Sequence, residues 1–297
     1  MMNLLDNIKQ TFRQGNSLTK LIYINAAFFV VLKLLIIILQ LFNISGSFIL
    51  PYLAIPADLT QLLYRAWTPL TYMFLHEGIM HFLFNMLTLF WFGKIFLMYF
   101  SEKQLVGLYL VGGLVAALFY VLAFNLFPFY AASLPYSILL GASGSIMAII
   151  VASAIQSPNL EMQLLLLGGV KLKFIALVVV LTSLFGMTSA NAGGEVAHLG
   201  GALAGYLFIV SLRQGKDITK GLNRILDTIS DLFKPRKLKV KPNPNRQGKP
   251  MSDADYNAFK ARKIAEIDRI LDKIKTSGYQ SLSAEEKKQL FEQGNKK

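Results

Sequence analysis

Six stretches of this chain are apolar over the length that crosses a lipid bilayer, and most of its polar residues fall between or after them. A spanning helix needs roughly 20 mostly apolar residues. Segments of that kind run near residues 21–42, 79–100, 104–127, 138–154, 172–184 and 197–212. The fifth is short, and it could start as early as Gln163 with Gly168 and Gly169 as an interruption. The pattern predicts an all-α fold, a polytopic membrane bundle of six transmembrane helices over residues 20–212, preceded by an N-terminal segment, 1–19. That N-terminal segment has no short apolar core followed by a small-residue cleavage site, so the first span is expected to be a retained anchor.

Past Leu212 the apolar runs stop. Residues 213–250 read as a basic linker, centred on Lys234-Pro235-Arg236-Lys237-Leu238-Lys239-Val240-Lys241-Pro242, and 251–297 as a small cytoplasmic helical hairpin. In the hairpin, Ile267, Ile270, Leu271 and Ile274 repeat at i, i+3, i+4, i+7, the spacing of an amphipathic helix. Ser283-Ala284-Glu285-Glu286 is a capping-box pattern ahead of a second short helix with Leu290 and Phe291.

Composition agrees with a membrane protein: 54% of residues are hydrophobic and 16% charged, against about a quarter charged in a soluble domain. Charge also orients the chain. Within residues 1–212 the bases are Lys9, Arg13, Lys20, Lys33, Arg65, Lys94, Lys103, Lys171 and Lys173. With the N-terminus inside, all but Arg65 fall at or near the cytoplasmic side. The outward loops, 43–75, 128–137 and 185–196, carry Asp58 and Glu195 but little positive charge. That is the positive-inside pattern, and it puts both termini in the cytoplasm. Lys33 lies within the first span, so it must face a neighbouring helix or a water-filled recess. The tail holds 21 of the 30 basic residues. It is expected to lie on anionic lipid, at about 1 kcal/mol per charge, or to bind a cytoplasmic partner. Nucleic acid is not the expected partner, because basic residues there are not interleaved with aromatics. The absence of cysteine removes disulfides, thiol nucleophiles and thiolate metal sites. No dinucleotide or phosphate-binding loop stands out, so no cofactor is expected.

The candidate chemistry is concentrated in three places. Ser143 stands in Gly141-Ala142-Ser143-Gly144 at the start of the fourth span, and His198 in Ala197-His198-Leu199-Gly200-Gly201 at the start of the sixth. The other two histidines, His76 and His81, flank the start of the second span, with Asn85 four residues on. A serine hydroxyl needs an adjacent base to become a nucleophile, and histidine suits that task near neutral pH. Gly144, Ala148 and Ala152 recur every four residues, as do Gly201 and Gly205 on the His198 face. Such faces let membrane helices approach closely, which would bring His198 beside Ser143. The Ser143 amide, at the positive end of its helix, could donate to an oxyanion.

A zinc protease needs two histidines at i and i+4. His76 and His81 are at i+5, about 140° apart on a helix, with only His198 left as a further ligand, so no metal is expected. His81 and Asn85, at i and i+4, share one face and can both donate hydrogen bonds.

Over roughly residues 62–212 these motifs, in this order, resemble the rhomboid family of intramembrane serine proteases. The resemblance implies Ser143 as nucleophile and His198 as base, with His81, Asn85 and the Ser143 amide as oxyanion donors. It further implies that Phe84, Gly141 and Met147 contact substrate, and that the substrates are transmembrane proteins cleaved near the outward surface. A bacterial inner membrane is the expected location. Two positions depart from the family pattern. Thr68 follows Trp67 where relatives carry arginine, leaving Arg65 as the substitute, and Met147 replaces an aromatic that packs on the histidine. The leading expectation is a serine endopeptidase. The alternative is a catalytically inactive binder or chaperone of transmembrane helices, and a transporter ranks third because no acidic residue lies mid-span.

Overall fold

The computed structural model describes residues 4–164, 168–232 and 252–294 of the chain. They fall into two compact units, 1–234 and 235–297.

The first unit opens with an amphipathic helix, α1 (Leu4–Gln14), and a long apolar one, α2 (Ser17–Leu41). Asn16 caps α2 by accepting from the Thr19 amide at 3.0 Å. Three short helices follow in the first loop, α3 (Ile49–Leu53), α4 (Leu59–Tyr64) and α5 (Thr68–Thr71). The next long helices are α6 (Ile79–Leu97) and α7 (Glu102–Leu126), the latter started by a Ser101/Gln104 capping box. Then come α8 (Ser143–Gln156), α9 (Leu172–Phe185), α10 (Ala192–Arg213) and α11 (Lys220–Leu232). Helices α2, α6, α7 and α10 are long and apolar enough to cross a membrane, while α8 and the α9 region are shorter apolar helices.

Three departures from the sequence pattern matter. Residues 138–154 do not form one helix. Ile138–Leu139 is a strand, β2, paired antiparallel with β1 (Ile55–Pro56), and the helix begins only at Ser143. Before α9 the chain makes an antiparallel hairpin of β3 (Glu161–Leu164) and β4 (Gly168–Lys171). Gly168 has φ +70° there, so the early start of the fifth span from Gln163 is overturned. Third, residues 220–232 fall in the expected linker yet form α11, which packs on α7. Asn223 donates to the Lys103 carbonyl at 3.0 Å, and Thr219 is buried against Gly107. The strongly basic run from 234 onward lies outside the described residues.

Helices α7, α8 and α10 pack together at the centre. Small residues set their spacing. A Cβ on Gly201 would strike the Gly144 carbonyl, and one on Gly205 would strike the Ala148 carbonyl. On the other side of α8, Gly112 of α7 faces Ala148, and Ala116 faces Gly144. Close backbone approach of this kind holds membrane helices together where lipid is as apolar as leucine. Every residue of α8 from Gly144 to Ala154 is buried.

Hydrogen bonds mark the two ends of the unit. At one, the Ser17 hydroxyl of α2 donates to Glu102 of α7 at 2.7 Å. At the other, the Gly141 amide donates to the Tyr72 carbonyl at 2.9 Å and Tyr130 donates to the Met187 carbonyl at 2.7 Å. The first loop is pinned at this second end: Trp67 Nε1 donates to the Tyr52 carbonyl at 2.8 Å and Arg65 to the Pro51 carbonyl at 2.9 Å. The Arg65 guanidinium also lies over the Tyr52 ring at 4.9 Å. Arg65 therefore ties down the loop despite Thr68. Lys33 reaches out of α2 to donate to the Glu77 carbonyl at 2.7 Å, so it braces the approach to α6.

The second unit is a helical hairpin, α12 (Asp253–Ser277) and α13 (Ala284–Gly294), turned at Gly278 with φ +77°. The Ser283/Glu286 capping box forms, and Lys273 donates to Glu286 at 2.9 Å. Ile270 is buried and Ile267 and Ile274 partly so, but Leu271 is exposed.

Candidate active site

The three motif-bearing helices, α6, α8 and α10, all begin near the end of the bundle pinned by the first loop. Helix α8 starts abruptly because Gly141 takes φ +126°, a left-handed conformation that disfavours any side chain. No side chain caps this helix start. Its first amides are the unpaired donors of a helix N-terminus, beside Ser143. A 14-residue helix is about 21 Å long, shorter than the roughly 30 Å hydrocarbon core. Irregular backbone is tolerated at such depth where it lines a cavity, and Leu139 and Leu140 do so.

Two cavities meet at Ser143. The larger, about 1260 Å³, is lined by Glu77, His81, Asn85, Leu140, Ser143, Asn191 and His198 among others. The smaller, about 290 Å³, is an apolar cleft among α6, α8, α9 and α10, lined by Phe84, Asn85, Ser143, Met147, Val179 and His198, with Ser183 and Glu195. Asn85, Ser143 and His198 belong to both.

Ser143 and His198 share the walls of both cavities, and no hydrogen bond joins them among the described residues. In unliganded enzymes such bonds are often loose and tighten on binding substrate. Asn85 donates one Nδ2 hydrogen to the His81 carbonyl at 2.8 Å, which leaves its second N–H. The His81 ring lies 3.1 Å from where a Gly141 Cβ would sit, and Ser143 Oγ lies 3.7 Å from the same point. Gly141 is not among the residues that line the two cavities; its missing side chain makes room for His81 beside the serine. Phe84 is exposed and Met147 buried, and both line the cleft.

His76 stands apart from the cavities. Its ring packs edge-on against His81 at 5.4 Å and Phe82 at 5.3 Å. Both its nitrogens are buried and make no well-formed hydrogen bond, although the Phe74 backbone lies close enough to favour the charged ring. Burial, and then the neighbouring His81, push its pKa down to about 4. Among the described residues, no group of three or more metal-ligating side chains is placed to hold an ion.

Four polar residues of the cleft, Thr88, Thr182, Ser183 and Glu195, were not candidate site residues in the sequence, and two of them approach His198. Glu195 Oε2 lies 3.3 Å from His198 Nδ1, and Ser183 Oγ lies 3.1 Å from the same nitrogen. The i, i+3 spacing of Glu195 and His198 was a visible signal. Ser183 sits on a different helix and left none.

A family model described as "Rhomboid domain" matches residues 64–215, about half of the chain. A second, "Family of unknown function (DUF6576)", matches residues 252–296, the region of the helical hairpin. No curated protein matches the chain.

Proposed function

The chain belongs to the rhomboid family of multi-pass membrane proteins, and we propose that it is an intramembrane serine endopeptidase. The observation that carries this reading is that Asn85, Ser143 and His198 sit where an apolar cleft meets a larger, more polar basin. A proteolytic site inside a bilayer needs both: apolar access for a transmembrane segment and a store of water for hydrolysis.

In the reaction, Ser143 Oγ attacks the scissile carbonyl carbon while His198 takes the hydroxyl proton. The oxyanion receives hydrogen bonds from the Ser143 amide, the free N–H of Asn85 and His81. Collapse breaks the C–N bond, and His198 returns its proton to the departing amine. Water from the basin then attacks the acyl-serine, giving a proton to His198; as the Oγ–C bond breaks, His198 returns that proton to Ser143 Oγ, and the new carboxyl product leaves. Phe84 and Met147 contact the substrate in the cleft.

Six spans with both termini cytoplasmic, in a bacterial inner membrane, complete the reading. The positive-inside pattern supports this orientation, which puts Ser143 in the outward half. The basic tail would contact anionic lipid or a cytoplasmic partner.

The test is fluorophosphonate labelling of purified protein, together with cleavage of a defined transmembrane substrate. Wild type should label and cleave, and Ser143→Ala should do neither while staying folded. The absence of a Ser143–His198 hydrogen bond in this structure is the observation favouring an inactive helix binder. Substrate binding without labelling or cleavage by wild type would establish that alternative.

A further inference from the structure

We infer that Glu195, assisted by Ser183, positions His198 and selects its tautomer, so that the serine–histidine pair depends on two further side chains. This rests on the endopeptidase reading above and extends it by two residues. Glu195 lies one turn before His198 on α10, with its Oε2 3.3 Å from His198 Nδ1. From α9, Ser183 Oγ approaches the same nitrogen to 3.1 Å. Ser183 is 2% exposed, and both residues line the cleft that holds Ser143.

A carboxylate only accepts hydrogen bonds, and a neutral imidazole carries one N–H. The nitrogen that faces a carboxylate therefore keeps the proton, and Nε2 is left with the lone pair a general base needs. When His198 takes the serine proton, the Glu195 charge opposes the new imidazolium charge.

An i, i+3 pair on a helix is often a solvated ion pair with no such role. Three observations set this one apart. Among the described residues, His198 is the only cationic or potentially cationic side chain within ion-pair distance of Glu195. Glu195 is in the first turn of α10, where the helix dipole favours the ionised form. And its side chain occupies the space left by Gly186, where a Cβ would lie 2.7 Å from Glu195 Cγ. The site is built around that carboxylate.

The experiment uses the full-length protein in detergent or nanodiscs, with ¹⁵N-labelled histidine rings. There are only three histidines, so His198 is assignable by substitution. The expected wild-type state is a neutral ring protonated at Nδ1. In Glu195→Gln the amide can donate to Nδ1 and push the proton to Nε2. In that variant kcat should then fall by at least about 10²-fold with KM nearly unchanged, and fluorophosphonate labelling should slow in parallel. Glu195→Asp should recover part of the loss.

A wild-type ring protonated at Nε2, or a Glu195→Gln variant with wild-type kcat, overturns the inference. Assigning the wild-type spectrum needs only substitutions of His76 and His81, so it decides the tautomer even if Glu195→Gln misfolds. It also separates this inference from the reading beneath it: an unlabelled, inactive wild type would defeat the protease assignment, while the ring spectrum still tests Glu195.

Discussion

Helices α2 and α8 are both apolar enough to sit in a membrane, and they do opposite jobs. Helix α2 contains the most apolar 18-residue stretch of the long helices, with a mean hydropathy of 2.6, yet over its 25 residues it buries only Leu18, Leu21 and Asn25. Over 14 residues α8 buries everything from Gly144 to Ala154. Hydropathy does not separate them, but side-chain volume does. The middle of α2 is Phe, Val, Leu and Ile, while α8 repeats Gly144, Ala148 and Ala152 along one face. Exposing leucine to lipid costs nothing, so helices meet where small residues let backbones approach. The helix that carries the candidate nucleophile is the one with neighbours on all sides, and such packing can hold a side chain to the tolerance that catalysis demands.

The contrast breaks first at Gly205. In Gly205→Val the new side chain would collide with the Ala148 backbone of α8, and backbone cannot move aside as a side-chain tip can. The expected loss is more than about 3 kcal/mol, beyond the usual range for overpacking, read as loss of monodisperse protein or a collapsed thermal transition. A normally stable variant would mean that α8 and α10 are not packed in this way.

Next in size is Asn85→Ala, at the same packed centre. It should lower turnover by about 10²-fold, as loss of one oxyanion donor does elsewhere, with little change in substrate binding. Weakened binding with normal turnover would instead make Asn85 a packing residue.

His76 tests a place where α2 approaches this centre, since Phe29 of α2 stacks on Phe82 at 4.6 Å and meets the His76 ring edge-on. The folded-state pKa of about 4 lies below the ordinary 6.5. Between those values the unfolded chain binds a proton that the folded chain does not, so stability is full above pH 6.5 and falls as pH drops toward 4. His76→Phe suits the aromatic surroundings and should flatten the melting profile over that window. Equal acid sensitivity in both proteins would place the labile group elsewhere.

The smallest effect is expected for Val31→Ala on α2, a residue 62% exposed. Stability should stay within about 0.5 kcal/mol of wild type, and cleavage should be unchanged. A larger loss would show that α2 has a packing partner on that face.

The apolar segments, the starts of α6 and α7 and the Ser283/Glu286 capping box could all be read from sequence. So could the placing of Ser143 and His81 near helix starts. But α10 begins at Ala192, before the expected sixth span from Ala197, and this brings Glu195 onto the helix of His198. What could be read depends on a run of neighbouring residues: transfer into lipid adds up side chain by side chain, and a cap needs only three or four positions. What tertiary structure alone decided is of another kind. Ile138 and Leu139 leave the helix because Ile55 and Pro56 offer them backbone partners. Lys33 finds the Glu77 carbonyl 44 positions away. Ser183 reaches His198 because α9 is turned toward α10. Such contacts are properties of pairs of elements, set by how closely two helices approach and how each is rotated. No sum along one segment contains that information.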